Sequence, residues 1–183
     1  MLKAQTRDEA LSPEDCDRLL ALLAKTPLRP AALIGGRAAT DRRRAEIAWL
    51  DDLPEAAFAM DRLIRLVAAV NRDDFGFEIS DFGESAQAAR YTAENAGHFD
   101  WHSDIGSGTW AAKRKLTVVV QLSAPADYDG GGLELRPDSH VQELPRRRGT
   151  ALIFPSFTLH RVTPVSRGQR WSLTLWAHGP GFR

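Results

Sequence analysis

After Phe75 the apolar residues of this chain stop recurring at helical spacing and fall into many short stretches at strand spacing. That switch is what most restricts its architecture. Phe75-Gly76-Phe77-Glu78-Ile79 alternates, Ala89 to Thr92 begins another strand, and His98 to Asp104 follows as the next. Lys115 to Leu122 is rich in β-branched residues and reads as mostly buried. Asp129-Gly130-Gly131-Gly132 reads as a tight hairpin turn into Leu133-Glu134-Leu135. Thr150 to Phe154, Arg161 to Pro164 and Arg170 to Ala177 complete the set.

Upstream of the switch the signals are helical. Ser12-Pro13-Glu14-Asp15 predicts a helix start, with Ser as N-cap, Pro in the first turn and acids beside it. Leu19, Leu20, Leu22 and Leu23 carry that helix to about Lys25, and Pro27 and Pro30 end it. Gly35-Gly36 marks a turn, and Ala45 to Leu50 is a candidate short strand. Pro54 to Val70 predicts a second helix with Phe58, Leu63, Leu66, Val67 and Val70 on one face. Helices followed by closely spaced strands predict a single α+β domain with a β-sandwich or jelly-roll core at about 73–183, supported by a helical part at about 1–72.

Composition narrows the function classes. At 183 residues the chain is long enough to bury a core without staples. Its 24 basic and 24 acidic residues give a formal net charge of +0, so no field is available for tracking nucleic acid or an anionic membrane. The single Cys, Cys16, excludes an intramolecular disulfide and fits a reducing compartment. No apolar run approaches the ~18 residues of a membrane span, and the first residues lack the apolar core of a signal peptide. The expectation is a cytoplasmic protein with no nucleic-acid or membrane partner; the sequence is silent on oligomeric state.

The chemistry lies in His102-Ser103-Asp104, the distant His160, and Arg170 ten residues beyond it. Side chains at i and i+2 of a strand face one side, which predicts that His102 and Asp104 reach one ion from a single strand while His160 arrives from elsewhere. Two imidazoles and one carboxylate leave three positions open on an octahedral metal, which suits non-haem Fe(II) and dioxygen chemistry. A structural zinc site would instead fill its shell, usually with Cys. An Arg close by suits a dicarboxylate cosubstrate such as 2-oxoglutarate. His98-Phe99-Asp100 is a second H-x-D pair of the same parity, and spacing alone does not choose between the two.

Between Ala89 and Trp176 the chain resembles the prolyl-4-hydroxylase-like branch of the 2-oxoglutarate/Fe(II) dioxygenases. The matching pieces occur in the family's order. They are Tyr91, the Trp101-His102-Ser103-Asp104 motif, Arg114-Lys115-Leu116-Thr117 leading to Gln121-Leu122-Ser123, Asp127-Tyr128-Asp129-Gly130-Gly131, Phe154-Pro155-Ser156, His160-Arg161-Val162-Thr163-Pro164, and Arg170 with Thr174 and Trp176. The resemblance implies a double-stranded β-helix, or jelly-roll, fold and selects His102, Asp104 and His160 as the metal ligands. It implies that Arg170 pairs with the distal carboxylate of 2-oxoglutarate and that Tyr91, Gln121, Thr174 and Trp176 contact the cosubstrate. Gln121 stands where animal prolyl hydroxylases place an aromatic residue.

The activity implied is hydroxylation of an aliphatic C–H, in a prolyl or other amino-acid side chain of a peptide or protein or in a free amino acid. Dioxygen is consumed, succinate and CO2 are released, and ascorbate is a candidate stimulant. Two other functions compete with it. A nucleic-acid demethylase of the same superfamily is disfavoured because Arg170-Trp171-Ser172-Leu173-Thr174-Leu175-Trp176 lacks that branch's Asn and second Arg. A non-catalytic jelly-roll binding or sensing module does not need so complete a ligand set. Arg42-Arg43-Arg44 and Arg146-Arg147-Arg148 read as solvated loops, one of which could steer an acidic peptide. Trp110, in a Gly-Ser-rich loop, is a candidate substrate lid, and His140 and His178 have no evident partner.

Overall fold

The structure is a computed structural model that describes residues 2–31 and 41–182; the Gly35-Gly36 turn lies outside the described residues. In chain order the regular elements are β1 (Gln5–Arg7), α1 (Pro13–Leu23), β2 (Arg29–Pro30), β3 (Arg43–Arg44), β4 (Glu46–Trp49), α2 (Ala57–Val70), β5 (Gln87–Thr92), β6 (His98–His102), β7 (Arg114–Gln121), β8 (Tyr128–Gly130), β9 (Leu133–Arg136), β10 (Gln142–Glu143), β11 (Ala151–Pro155), β12 (Leu159–Val162) and β13 (Val165–His178). An eight-stranded sheet runs β1-β11-β7-β13-β5-β4-β2, with β8 paired to β13 beside that path, and a five-stranded sheet runs β10-β9-β12-β6-β3. Pairing is antiparallel throughout. The two sheets and the helices make the α+β jelly roll that the pattern predicts.

Strand parity divides the interior in two. Leu116, Val118 and Val120 of β7 and Leu173, Leu175 and Ala177 of β13 join Leu19, Leu23, Leu63, Val67 and Val70 in one apolar cluster, which attaches the helices to the larger sheet. The alternate residues point the other way, where Val119 of β7 joins Tyr91, Leu133, Leu135, Phe154 and Val162 in a second cluster between the sheets. Leu19, Leu63 and Val67 are fully buried, and burial of such a side chain is worth about 1.5–3 kcal/mol. Arg170, Ser172, Thr174 and Trp176 share the inter-sheet parity of β13 and line a cavity there.

The helix signals hold, with shifted ends. Ser12 Oγ accepts from the Asp15 N–H at 3.1 Å and Asp15 Oδ2 accepts from the Ser12 N–H at 3.2 Å, a reciprocal cap. The helix stops at Leu23, with Ala24 as its C-cap, short of Lys25. Pro54–Ala56 forms a 3-10 turn, and α2 starts only at Ala57. Its buried face is Ala59, Leu63, Val67 and Val70, while Phe58 and Leu66 are only partly covered.

Three further expectations are corrected. Phe75–Ile79 is not a strand: Asn71–Phe75 is a single π turn closed by Gly76 in the left-handed region, φ 68°. The Asn71 side chain accepts from the Phe77 N–H at 2.9 Å and donates to its carbonyl at 2.8 Å, taking the place of a neighbouring strand. The glycine run is not a hairpin turn either, because β8 and β9 belong to different sheets and the run carries the chain from one to the other. A Cβ on Gly130 (φ 71°) would lie 2.0 Å from the Pro164 carbonyl oxygen. Besides its helices, the first part of the chain contributes β1 through β4, of which only β4 was legible.

Candidate active site

His102 and His160 face each other across the pairing of β6 with β12. Asp104 reaches them by another route than the one its spacing predicts. β6 ends at His102, and the Asp104 and Ile105 N–H groups both donate to the Ser156 carbonyl, at 2.9 and 3.1 Å, so a hook onto the segment after β11 turns the carboxylate inward. The outcome is the predicted trio. His102 Nε2 lies 3.6 Å from Asp104 Oδ1 and His160 Nε2 3.6 Å from Asp104 Oδ2, and one donor atom from each residue falls within 4.8 Å of the others.

Hydrogen bonds orient each donor. His102 Nδ1 donates to the Asp100 carbonyl at 2.7 Å and His160 Nδ1 to the Thr158 carbonyl at 2.9 Å, which leaves both Nε2 lone pairs for a metal. Asp104 Oδ2 accepts from the Thr117 hydroxyl at 2.7 Å and from the Trp176 indole N–H at 3.0 Å. Burial, then the charge of His160, lowers the His102 pKa to about 3. Burial alone would raise that of Asp104; the charges of His160 and His102, the Trp176 bond and Arg114 outweigh it and hold it at about 2. Two imidazoles with their Nε2 atoms turned inward and one carboxylate fit a divalent metal of the iron class. His98 and Asp100 are not in the trio: the His98 ring bonds the Ala96 and Asp41 carbonyls, and Asp100 is exposed.

The trio opens into a cavity of about 580 Å³ that Arg170 also lines. Arg170 has 0% exposure. Its Nη2 donates to Gln121 Oε1 at 3.0 Å, its Nη1 to Ser172 Oγ at 3.4 Å, and its Nε has no acceptor. No carboxylate among the described residues pairs with it. A buried guanidinium left this way is costly unless an anion joins it, and its planar fork suits a carboxylate. Tyr91 lines the cavity with its ring 5.5 Å from the Arg170 guanidinium carbon, and Thr174 and Trp176 line it too. Gln121 stands behind Arg170, with its amide nitrogen donating to the Pro145 carbonyl at 3.3 Å.

One network has no local sequence signal. Arg114 donates from Nε and Nη2 to Glu84 at 2.6 and 2.5 Å and from Nη1 to the Asp104 carbonyl at 3.0 Å, and its guanidinium carbon lies 4.0 Å over the Trp176 ring. His178, fully buried, bonds Glu84 through Nε2 at 2.8 Å. Burial opposes ionisation of Glu84, but the bonds from His178 and Arg114 prevail and lower its pKa to about 2. Trp110 packs against His178 and Gly83 and is not among the residues that line the cavity. Arg146, Arg147 and Arg148 pair with Glu143, with Asp8 and Glu9, and with Asp17, instead of being simply solvated. His140 is exposed beside Asp138.

Comparison with known proteins agrees with this geometry. A family model described as the 2OG-Fe(II) oxygenase superfamily matches residues 86–178. Over 86 residues the chain is 36% identical to a PKHD-type hydroxylase of Teredinibacter turnerae, a match covering 45% of this chain and 38% of that protein. A PKHD-type hydroxylase of Azoarcus sp. is 26% identical over 171 residues, 90% of this chain and 73% of that one. The chain therefore spans about two-fifths of the length of several curated relatives and about three-quarters of others. Among solved structures, a prolyl-4-hydroxylase of Pseudomonas putida superposes with a TM-score of 0.79 at 23% identity, over 96% of this chain and 92% of that one. A prolyl hydroxylase from Trichoplax adhaerens, solved with a hypoxia inducible factor oxygen degradation domain peptide fragment, gives 0.81 at 20% identity, over 97% and 84%. The family match runs from just before β5 to the last residue of β13, and the chain belongs to the 2OG-Fe(II) oxygenase superfamily.

Proposed function

We propose that the protein is an Fe(II)- and 2-oxoglutarate-dependent dioxygenase that hydroxylates an aliphatic C–H of an amino-acid residue, in a peptide or protein or in the free amino acid. The observation that carries this reading is Arg170, fully buried without a carboxylate partner among the described residues, on the cavity that also holds the metal-ready trio. The prolyl substrate class is supported by the names of the PKHD-type and prolyl hydroxylase relatives, and the peptide form by the fragment bound to one neighbour.

When bound, iron with 2-oxoglutarate supplies the oxidising power: dioxygen is consumed, 2-oxoglutarate is decarboxylated to succinate and CO2, and a C–H becomes C–OH. The protein contributes placement. His102, Asp104 and His160 hold the metal, Thr117 and Trp176 fix the carboxylate of Asp104, and Arg170 holds the distal carboxylate of the cosubstrate. Gln121 aims Arg170 from behind, while Tyr91, Thr174 and Trp176 wall the cosubstrate off from water.

The test is succinate formation from 2-oxoglutarate by the purified protein in air. The reading requires Fe(II)-dependent succinate that is abolished in His160→Ala. No succinate with any proline-containing peptide or amino acid would favour a binding module instead, and iron-independent turnover would contradict the metal role given to the trio.

A further inference from the structure

The cavity wall also carries arginines that no carboxylate among the described residues neutralises. Arg29, Arg42 and Arg43 line it, and the carboxylates on the cavity wall are Glu84 and Asp104. Glu84 is engaged by Arg114 and His178, and Asp104 belongs to the trio. None of the three arginines pairs with a carboxylate among the described residues. Arg29 and Arg42 are exposed; Arg43 is only partly exposed.

Arg43 is also held in place. It belongs to the five-stranded sheet, yet its Nη2 donates to Gln87 Oε1, on the other sheet, at 2.6 Å. Its guanidinium carbon lies 4.6 Å over the Phe99 ring, and Phe99 stacks on the His102 ring at 3.4 Å. Its Nε is buried with no acceptor. A fixed, incompletely solvated guanidinium two ring contacts from a metal-ligating imidazole is placed to hold a group on the substrate, because the cosubstrate's distal carboxylate already has Arg170. On the reading above, one aspartate and a dianionic cosubstrate, set against a divalent metal and Arg170, leave no negative charge at the centre to offset the other arginines of the cavity. A negative group on the substrate would complement them.

We propose that the substrate is anionic: it carries a carboxylate close to the carbon that is hydroxylated, and Arg43 holds that carboxylate while Arg29 and Arg42 steer it in. The inference rests on the proposed function and names the substrate class of the same site. The carboxylate can belong to a free amino acid or to an acidic side chain beside the target residue of a peptide.

The test is binding to the Mn(II)- and 2-oxoglutarate-loaded protein under anaerobic conditions, followed by calorimetry at low and high salt. The probes are acetylated proline pentapeptides with Glu or Gln beside the proline, and free L-proline against L-prolinamide. The acidic member of a pair binds about tenfold tighter, as one charge-assisted contact gives, and the preference shrinks with salt. The preference falls below about twofold in Arg43→Gln, returns in part in Arg43→Lys, and inverts in Arg43→Glu. The pair that discriminates identifies the source of the carboxylate. Equal binding of acidic and neutral members, discrimination that survives in Arg43→Gln, or no binding of any acidic probe overturns the proposal when 2-oxoglutarate itself binds. Failure of 2-oxoglutarate to bind in the same cell would instead break the parent reading.

Discussion

Trp176 donates its indole N–H to Asp104 Oδ2 at 3.0 Å from a strand of the opposite sheet, so the carboxylate of the trio is aimed by the wall that also carries Arg170. Thr117 adds the second bond to the same oxygen, and Oδ1 has none among the described residues. Trp176→Phe keeps a ring under Arg114 but removes the donor. Loss of such a supporting bond lowers metal affinity by about 10–100-fold. Mn(II) calorimetry checks this; unchanged affinity would mean that Thr117 alone suffices.

Arg170→Ala separates the two halves of the site. Metal affinity should stay within about twofold, because Arg170 makes no hydrogen bond or ion pair with the trio. The 2-oxoglutarate requirement should rise by about 10–100-fold, the equivalent of roughly 1.5–3 kcal/mol for hydrogen bonds to a charged group. Gln121→Leu frees the guanidinium to rotate and should raise that requirement by a smaller factor, with no effect on metal. Initial rates of succinate release against 2-oxoglutarate concentration decide both.

Acid should destabilise the metal-free protein early. His102, lowered from 6.5 to about 3, takes up a proton in the unfolded chain well before it does in the fold. Asp104 and Glu84, both lowered to about 2 from 3.8 and 4.5, behave the same way at lower pH. All three have depressed folded values, so their contributions are fully present above pH 6.5 and are lost as pH falls. Urea midpoints should therefore decline steadily from pH 7.5 to 4. A stability maximum near pH 5 would contradict the burial of a neutral His102.

Gly130→Ala should destabilise the fold by about 1–3 kcal/mol, because φ is 71° and the new methyl would lie 2.0 Å from the Pro164 carbonyl oxygen. Thermal unfolding gives the number. A loss much below 1 kcal/mol would mean that the inter-sheet link relaxes freely.

The parts legible in the sequence are those with a period. β7 was legible as a β-branched run buried on both faces, and the alternation of β13 carries Arg170, Thr174 and Trp176 to one wall while its other parity meets the helices. Phe75–Ile79 also alternates, but Asn71 satisfies Phe77 locally, and periodicity does not reveal a side chain that replaces a strand partner. Asp104 joins the trio through its bonds to Ser156 and not by strand parity, so the ligand set was right for a partly different physical reason. The Glu84–Arg114–His178 network links residues 30 and 94 positions apart, and no local pattern encodes it. Arg43 was visible only as part of a basic run; its bond to Gln87 required the fold.

The central claim is that one cavity binds iron through His102, Asp104 and His160 and 2-oxoglutarate through Arg170. Anaerobic titration of the metal-free protein with Fe(II) and then 2-oxoglutarate, followed by visible absorption, tests it most directly. The account predicts a weak charge-transfer band that saturates with both additions, is absent in His160→Ala, and requires more 2-oxoglutarate in Arg170→Ala. No band from a folded protein with iron confirmed bound would contradict it.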